Sequence, residues 1–273
     1  MADTRRLTAF LSIFGMLWLC IGAVVSLHAN QPHSTVDGLR LLHKMQGALG
    51  GADKIAAIRD YEETIRGDTW LPDGSPLGHV RKRTRWIKRA NVVRLDQIGP
   101  RDTYVLYFDG KSGTGWEILP DRIGPDALRT DGKAIPLIGG EMKFAQSYLS
   151  GFQLNLWLAD KMPGYSVTSP RANVVRIQHA AGATDFTLDS VTGLPIKTNG
   201  VSLANPNAPV EAELRYEAWT QVAGVKFPTK RSNYHNGLKL GAITDAVIQV
   251  NTGLTPQSLA MKPPNFAPDI AQK

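Results

Sequence analysis

The chain has 273 residues, which is long enough for one large domain or two small ones with a buried core. Hydrophobic residues make up 42% of the chain and charged residues 20%, which excludes both a disordered chain and a polytopic membrane protein. The single cysteine excludes a disulfide framework and a cysteine-based zinc site. The formal net charge of +7 favours anionic partners such as lipid headgroups, acidic polymers or nucleic acid.

The first 29 residues have the pattern of a secretory signal peptide. Arg5 and Arg6 precede an uncharged apolar run over residues 7–27, and Ala29 is a small residue at the predicted cleavage point. The same run reaches the roughly 20 residues that span a bilayer, so an uncleaved anchor is the alternative. Cys20 follows large apolar residues, which argues against lipidation there. Export argues against nucleic acid as a partner.

The pattern after the leader predicts helices and then strands. Residues 37–49 have apolar side chains at helical spacing, with Asp37 as the predicted N-cap and glycines after the last turn. Asp53 is predicted to cap a second, short helix. From Tyr61 onward, alternating segments separated by turn residues indicate an antiparallel meander. Residues 120–140 are rich in proline and glycine and are predicted to form a long irregular loop.

Residues 141–162 are predicted to form one amphipathic helix. Its apolar stripe has four-residue spacing and consists of Phe144, Tyr148, Phe152 and Leu156, with Leu149 beside it. Such a stripe fits either an ordinary core helix or a helix that covers an apolar opening.

Strands resume after this helix, and the tail from about Pro263 is predicted to be poorly ordered. We expect about 11 strands in a single domain over residues 30–273, because no internal repeat and no flexible linker divides them. A sheet of that size must curl to bury its inner face. The predicted fold is therefore mainly β with a few helices (α+β): an unclosed antiparallel β-barrel with an N-terminal helix pair and an inserted helical lid.

Sequence motifs of catalytic and metal sites are absent. There is no H-E-x-x-H, G-x-S-x-G or P-loop pattern, and no two of the six histidines have the i, i+4 spacing of a helical metal pair. The glycine-rich segment 110–115 follows a strand and precedes no helix, so we interpret it as a hairpin turn rather than a phosphate loop. The sequence therefore predicts neither an enzyme nor a bound metal or cofactor.

Six of the nine residues in segment 81–89 are basic. In a strand, one face would carry Arg81, Arg83, Arg85, Ile87 and Arg89, and the other Lys82, Thr84, Trp86 and Lys88. This segment fits a solvated strand face. It also fits a strand with at least one arginine directed toward the barrel mouth, where it would bind backbone carbonyls or an anionic ligand head.

A family resemblance rests on the segment that follows this basic run. The residues that carry it are Trp86-Ile87-Lys88-Arg89-Ala90-Asn91, then a strand, then Phe108-Asp109-Gly110-Lys111 and Trp116. This order resembles that of the periplasmic lipoprotein carrier LolA and its relatives, and segments 222–228 and 259–263 are similar to later parts of that family. The resemblance covers most of residues 36–263 and is tightest over 61–119.

The resemblance implies a half-barrel whose helical lid covers an apolar cavity for acyl chains. By its position in the motif, Arg89 corresponds to an arginine that bonds to the lid and holds it closed. Ala90 departs from the family, which has proline there. The remaining ligand and lid residues implied by this comparison are Trp86, Ile87, Phe144, Tyr148, Leu149, Phe152 and Leu156.

The implied function is that of a monomeric, non-enzymatic binding protein in the periplasm or cell envelope. It would shelter a lipid or lipoprotein acyl chain and exchange that ligand against its lid. The alternative is an envelope sensor or regulatory domain that binds a lipidated or peptide signal on a partner such as an envelope membrane protein. A secreted hydrolase ranks last, because the sequence contains no recognisable nucleophile–base or metal constellation.

Overall fold

The computed structural model describes residues 33–100, 103–119, 133–202, 210–263 and 267–270. The predicted signal peptide, residues 1–29, lies outside the described residues, as do residues 120–132 of the predicted loop. Within the described ranges, no helix combines the length and the apolar character needed to cross a bilayer.

The described residues form five α-helices and one 3-10 turn at Ala159–Lys161. The helices are α1 (Val36–Leu49), α2 (Ala52–Ala56), α3 (Gly139–Ser150), α4 (Gln153–Trp157) and α5 (Pro256–Ala260). The same residues contain thirteen β-strands. The strands are β1 (Asp60–Trp70), β2 (Pro76–Ile87), β3 (Val92–Ile98), β4 (Thr103–Asp109), β5 (Thr114–Ile118), β6 (Ile135–Pro136), β7 (Ser166–Arg171), β8 (Val174–His179), β9 (Gly182–Leu188), β10 (Pro195–Ser202), β11 (Val210–Val222), β12 (Val225–His235) and β13 (Leu238–Val250).

The N-caps of the first two helices differ from those predicted. Thr35 caps α1, because its backbone is extended and its hydroxyl oxygen accepts a hydrogen bond from the Gly38 amide at 3.1 Å. Asp37 lies in the first turn, two residues after the N-cap, where its negative charge favours the N-terminal end of the helix dipole. Gly51, and not Asp53, is the N-cap of α2.

All thirteen strands belong to one antiparallel sheet with the order β6-β5-β4-β3-β2-β1-β13-β12-β11-β10-β9-β8-β7. Apart from β6 and β7, strands that follow one another in the chain are neighbours, and β1 pairs with β13 in the middle. The edges are β6 and β7, so the sheet is unclosed among the described residues. The predicted unclosed antiparallel sheet with a few helices is confirmed, with thirteen strands rather than about eleven.

The two edge strands are consecutive in the chain, and this places the helical insert. The segment that joins β6 to β7 consists of α3, α4 and the 3-10 turn. It packs with α1 on the inner, concave face of the sheet, where the main hydrophobic core lies. The largest fully buried side chains of this core are Trp86, Trp157, Tyr61, Phe186 and Phe227.

The predicted alternation along β2 is confirmed by the cross-strand register. Trp86 pairs with Tyr61 of β1 and with Val93 of β3, and all three are buried in the inner core. Arg85, one residue earlier, pairs with Arg94 on the outer, convex face. The glycine-rich segment 110–115 includes the turn of the β4–β5 hairpin, as predicted.

The outer face of β2 and β3 carries a buried ion network. Asp96 is fully buried and bonds to Arg85 and, at 3.0 Å, to Arg94. Arg94 also donates to the carbonyl oxygens of Leu259 and Met261, which belong to the α5 region. Arg85 and Arg94 therefore bind the protein's own groups on the outer face.

Residues 267–270, which belong to the tail from Pro263 for which poor order is predicted, lie against this network. The Asp269 amide donates to Asp96 at 2.9 Å, and its carboxylate accepts from Arg83 at 2.8 Å and from Arg85 at 3.2 Å. Ile270 is buried. The tail supplies a carboxylate that offsets the excess positive charge of the arginines, and this fixes its position.

We expect Asp96→Asn to lower the free energy of unfolding by about 3–5 kcal/mol, because it leaves buried arginine charge uncompensated. Urea denaturation followed by circular dichroism measures this loss. The matched control is Asp185→Asn, which breaks the partly exposed Arg176–Asp185 pair and should cost at most about 1 kcal/mol. Equal losses in the two variants would contradict a structural role for the buried network.

Candidate functional site

The segment predicted as one helix is broken at Gly151. The helix α3 ends just before it, and two of its last carbonyl groups are satisfied by side chains. Asn155 donates to the Leu149 carbonyl at 3.0 Å, and the Tyr165 hydroxyl donates to the Ser150 carbonyl at 2.6 Å. Where the sequence predicts one helix over 141–162, the structure therefore contains α3, α4 and the 3-10 turn. Gly151 has an ordinary φ of −86°, and a Cβ added there would lie only 3.2 Å from the Ser147 carbonyl oxygen.

This break divides the predicted lid stripe into two parts with different burial. Phe152 and Leu156 are only 6% and 4% exposed and belong to the core. Phe144 and Tyr148, on α3, are half-buried and pack against the edge of that core. Leu149 is buried beneath α3. The part of the stripe on α4 is thus ordinary core, and the part on α3 borders the opening.

Phe152 joins the helical segment to the sheet through aromatic contacts. Its ring centroid lies 5.0 Å from that of Trp86 and 5.6 Å, edge-on, from that of Tyr61. On α3, the Tyr148 ring lies 6.3 Å from Phe152. Each such pair contributes about 0.5–1.5 kcal/mol beyond its buried area. The structure therefore brings the predicted residues Trp86, Tyr148 and Phe152 together.

Two other predicted residues lie away from this cluster. Arg89 is exposed in the β2–β3 turn, and its guanidinium contacts no acceptor among the residues that the structure describes. Ile87 lies in a small separate cluster with Val92 and Leu259 on the outer face. The structure thus shows no bond from Arg89 to the lid.

A different basic residue of segment 81–89 contacts α3. The ammonium of Lys82 lies 4.8 Å from the centre of the Tyr148 ring, and the Thr84 and Tyr148 hydroxyl oxygens are 3.4 Å apart. Both Lys82 and Thr84 are on the inner face of β2, as their alternation with the arginines predicts. Sequence reasoning about the site concentrated on the arginines and missed Lys82, although the alternation identifies it.

The inner face contains an apolar cavity that none of the described helices lines. Its volume is about 340 Å³, and it lies between β1, β2 and β3 on one side and β11, β12 and β13 on the other. Its apolar lining includes Ile65, Leu77, Val80, Leu214, Leu240 and Ile243. Sequence reasoning did not identify these residues, which come from four strands, two near the start of the sheet's chain order and two near its end.

Two further cavities adjoin the first along the inner face. One, of about 290 Å³, lies between the helical segment and the sheet and is lined by Tyr148, Phe152 and Arg231. Another, of about 370 Å³, lies beside β9 to β12. Leu214 lines all three cavities, and Arg231 lines the first two. Together they form a groove, which we call the inner groove, that begins under α3 and opens beyond it.

A buried ion pair lies where the first two cavities of the inner groove meet. Arg231 donates to Glu63 at 2.7 Å, and these side chains are 11% and 8% exposed. Burial by itself lowers the pKa of the Arg231 guanidinium, but Glu63, Tyr61 and Tyr216 together more than offset this effect, so the pKa lies above its ordinary value. The guanidinium therefore stays charged inside a mostly apolar groove.

The described residues contain no group of three or more histidine, cysteine, aspartate or glutamate side chains placed to hold a metal ion. What the inner groove offers is apolar surface, a few tyrosine hydroxyls and the charges of Glu63 and Arg231. Lys82 lies beside it on β2, between the lining residues Ile65 and Gln97. This arrangement is suited to binding a ligand with a long apolar part.

Comparison with known proteins shows similarity in structure only. No protein-family model matches the chain, and no curated protein matches its sequence. A DUF1329 family protein from Desulfovibrio piger superposes with a TM-score of 0.51 at 12% identity, covering 83% of this chain and 99% of the other. A LolA superfamily protein from Nitrosomonas europaea gives 0.48 at 14% identity, covering 80% and 97%. At identities of 12% and 14%, these likenesses concern the fold alone.

The end of α3 is held near a buried histidine. The His179 ring stacks on Tyr165 with centroids 6.0 Å apart, and its Nε2 lies 3.1 Å from the Thr184 hydroxyl. Burial lowers the pKa of His179 below its ordinary value of 6.5. Burial also raises the pKa of Tyr165 to about 12, so this hydroxyl stays a donor to Ser150 at neutral pH.

We expect the protein to lose stability as the pH falls from 7.5 to 5.5, in part through His179. Because the folded-state pKa is lowered, the unfolded chain binds more protons below about pH 6.5, and protonation favours unfolding there. Urea titrations at both pH values should show a smaller loss in His179→Gln than in the unaltered protein. The control His79→Gln removes an exposed histidine and should keep the original loss. An unchanged pH dependence in His179→Gln would contradict this assignment.

Proposed function

We propose that this protein is an exported, non-enzymatic binding protein whose inner groove shelters an acyl chain of a lipid or lipoprotein. The observation that supports this is the apolar cavity of about 340 Å³ that the helices leave uncovered. Ligand pockets usually measure about 300–1,000 Å³. Burial of an acyl chain contributes about 0.8 kcal/mol per CH₂ group, which is a sufficient driving force for binding.

The movable cover in this proposal is α3 alone. Its side chains Phe144 and Tyr148 are half-buried, whereas α4 is held by Phe152, Leu156 and Trp157 in the core. Displacing α3 exposes less apolar surface than displacing α4, and an entering chain covers the surface that α3 leaves. Ligand and α3 would thus exchange for one another without covalent chemistry.

Blocking the open cavity should abolish binding without unfolding the protein. Val80 is half-buried and lines the cavity, so Val80→Trp would fill part of it. We expect a fluorescently labelled long-chain fatty acid to bind at least about tenfold more weakly, a change of about 1.4 kcal/mol. Fluorescence titration measures the affinity, and circular dichroism checks the fold.

The matched control for this variant is Val247→Trp. Val247 is 57% exposed on the outer face, where it pairs with Thr64 of β1, and the same enlargement there should leave binding unchanged. Equal affinity of Val80→Trp and the unaltered protein would show that the ligand lies elsewhere. Failure of the unaltered protein to bind any acyl chain would overturn the proposed function.

The proposal places the mature protein in the periplasm or cell envelope, with an N-terminus at or near Asn30. The basic, apolar and small residues of positions 1–29 follow one another in signal-peptide order. The intact mass of the exported protein measures the cleavage directly. A mass that retains residues 1–29 would contradict a freely moving carrier and favour a tethered sensor.

A further inference from the structure

Lys82 lies on the inner face of β2 without a carboxylate partner. In the cross-strand register it stands between Ile65 of β1 and Gln97 of β3, which both line the 340 Å³ cavity. Its ammonium lies over the Tyr148 ring at 4.8 Å. Among the described residues, no carboxylate oxygen lies within ion-pair distance of this nitrogen.

Arg231 is a second cation at the inner groove, and its hydrogen bond to Glu63 uses only part of its N–H donors. One of its terminal nitrogens donates to Glu63, whereas a guanidinium carries five N–H donors in all. Arg231 lines both the open cavity and the cavity under α3. Its remaining donors are therefore available at the point where the two cavities meet.

The charges on this part of the inner face do not balance. Lys82 and Arg231 are positive, and Glu63 supplies one negative charge. Asp68 also lines the open cavity, but its carboxylate bonds to the exposed His79 at 2.7 Å. A partly buried charge without a partner is costly, so an anion that enters here is stabilised.

We propose that Lys82 and Arg231 form a subsite for the anionic head of a single-chain amphiphile, a carboxylate or a phosphate. The apolar chain of this ligand lies along Ile65, Val80 and Leu214. This inference rests on the proposed function and adds to it that the ligand is charged at one end and held in one orientation.

The same subsite connects ligand binding to the cover. Tyr148 of α3 and the incoming head compete for the Lys82 ammonium. An ion-paired hydrogen bond to a carboxylate or phosphate is stronger than contact with a ring face. A charged ligand therefore removes one of the contacts that hold α3, whereas an uncharged chain of equal length does not.

The experiment compares three ligands with identical alkyl chains: a fatty acid, a fatty alcohol and a monoalkyl phosphate. Isothermal titration calorimetry of the unaltered protein should give at least about tenfold tighter binding for one or both anions than for the alcohol. Lys82→Gln should remove that preference, so that the acid, the phosphate and the alcohol bind with equal affinity. Lys82→Arg should retain it.

The control Arg81→Gln removes the neighbouring cation, which points to the outer face, and should keep the preference. If Arg81→Gln and Lys82→Gln lose the preference for the anionic ligands equally, general surface charge explains the effect and the subsite is disproved.

Equal binding of acid, phosphate and alcohol by the unaltered protein also overturns the subsite, while it supports acyl-chain binding. Absence of binding for all three overturns the proposed function itself. Tighter binding of the phosphate than of the acid supports a lysophospholipid source for the head, and the reverse supports a free fatty acid.

Discussion

The pairing of β1 with β13 determines how the rest of the molecule is arranged. It joins two meanders, β1 to β6 and β7 to β13, through their first and last strands. As a result, the two free edges belong to β6 and β7, which are consecutive strands in the chain. The segment between them must cross the opening of the sheet, and its apolar residues are available to cover the inner face. A helical cover at the opening thus follows from the strand order.

The basic segment of β2 serves two purposes because a strand alternates its side chains between faces. Arg83 and Arg85 point outward and bind Asp96 and Asp269, so the outer face is held together by the protein's own carboxylates. Lys82 points inward and contacts a ring of the cover instead. A run of like charges in sequence is thus divided between a structural network and a ligand groove.

Local patterns predicted the parts of the fold that depend on neighbouring residues. The alternation of apolar and polar residues identified the meander and the faces of β2, and the hairpin at segment 110–115 followed from its glycines. Contacts between distant residues were not predictable in this way. The pairs Arg83–Asp269 and Glu63–Arg231 join positions 186 and 168 residues apart, and neither is visible in a local pattern. For the same reason, the resemblance assigned the lid contact to Arg89, which the structure places in an exposed turn.

The cover has one fixed end and one end that can move, and this makes ligand exchange compatible with a stable fold. Gln46 of α1 donates to the Trp157 carbonyl at 2.9 Å, and Phe152 packs between Trp86 and Tyr61. Breaking these contacts would expose the main core. By contrast, α3 lies before the break at Gly151, and its contacts with the core come from buried Ala145 and Leu149 and from half-buried Phe144 and Tyr148. Opening confined to α3 would uncover the inner groove while the sheet, α1 and α4 keep their packing, so the ligand can enter without global unfolding.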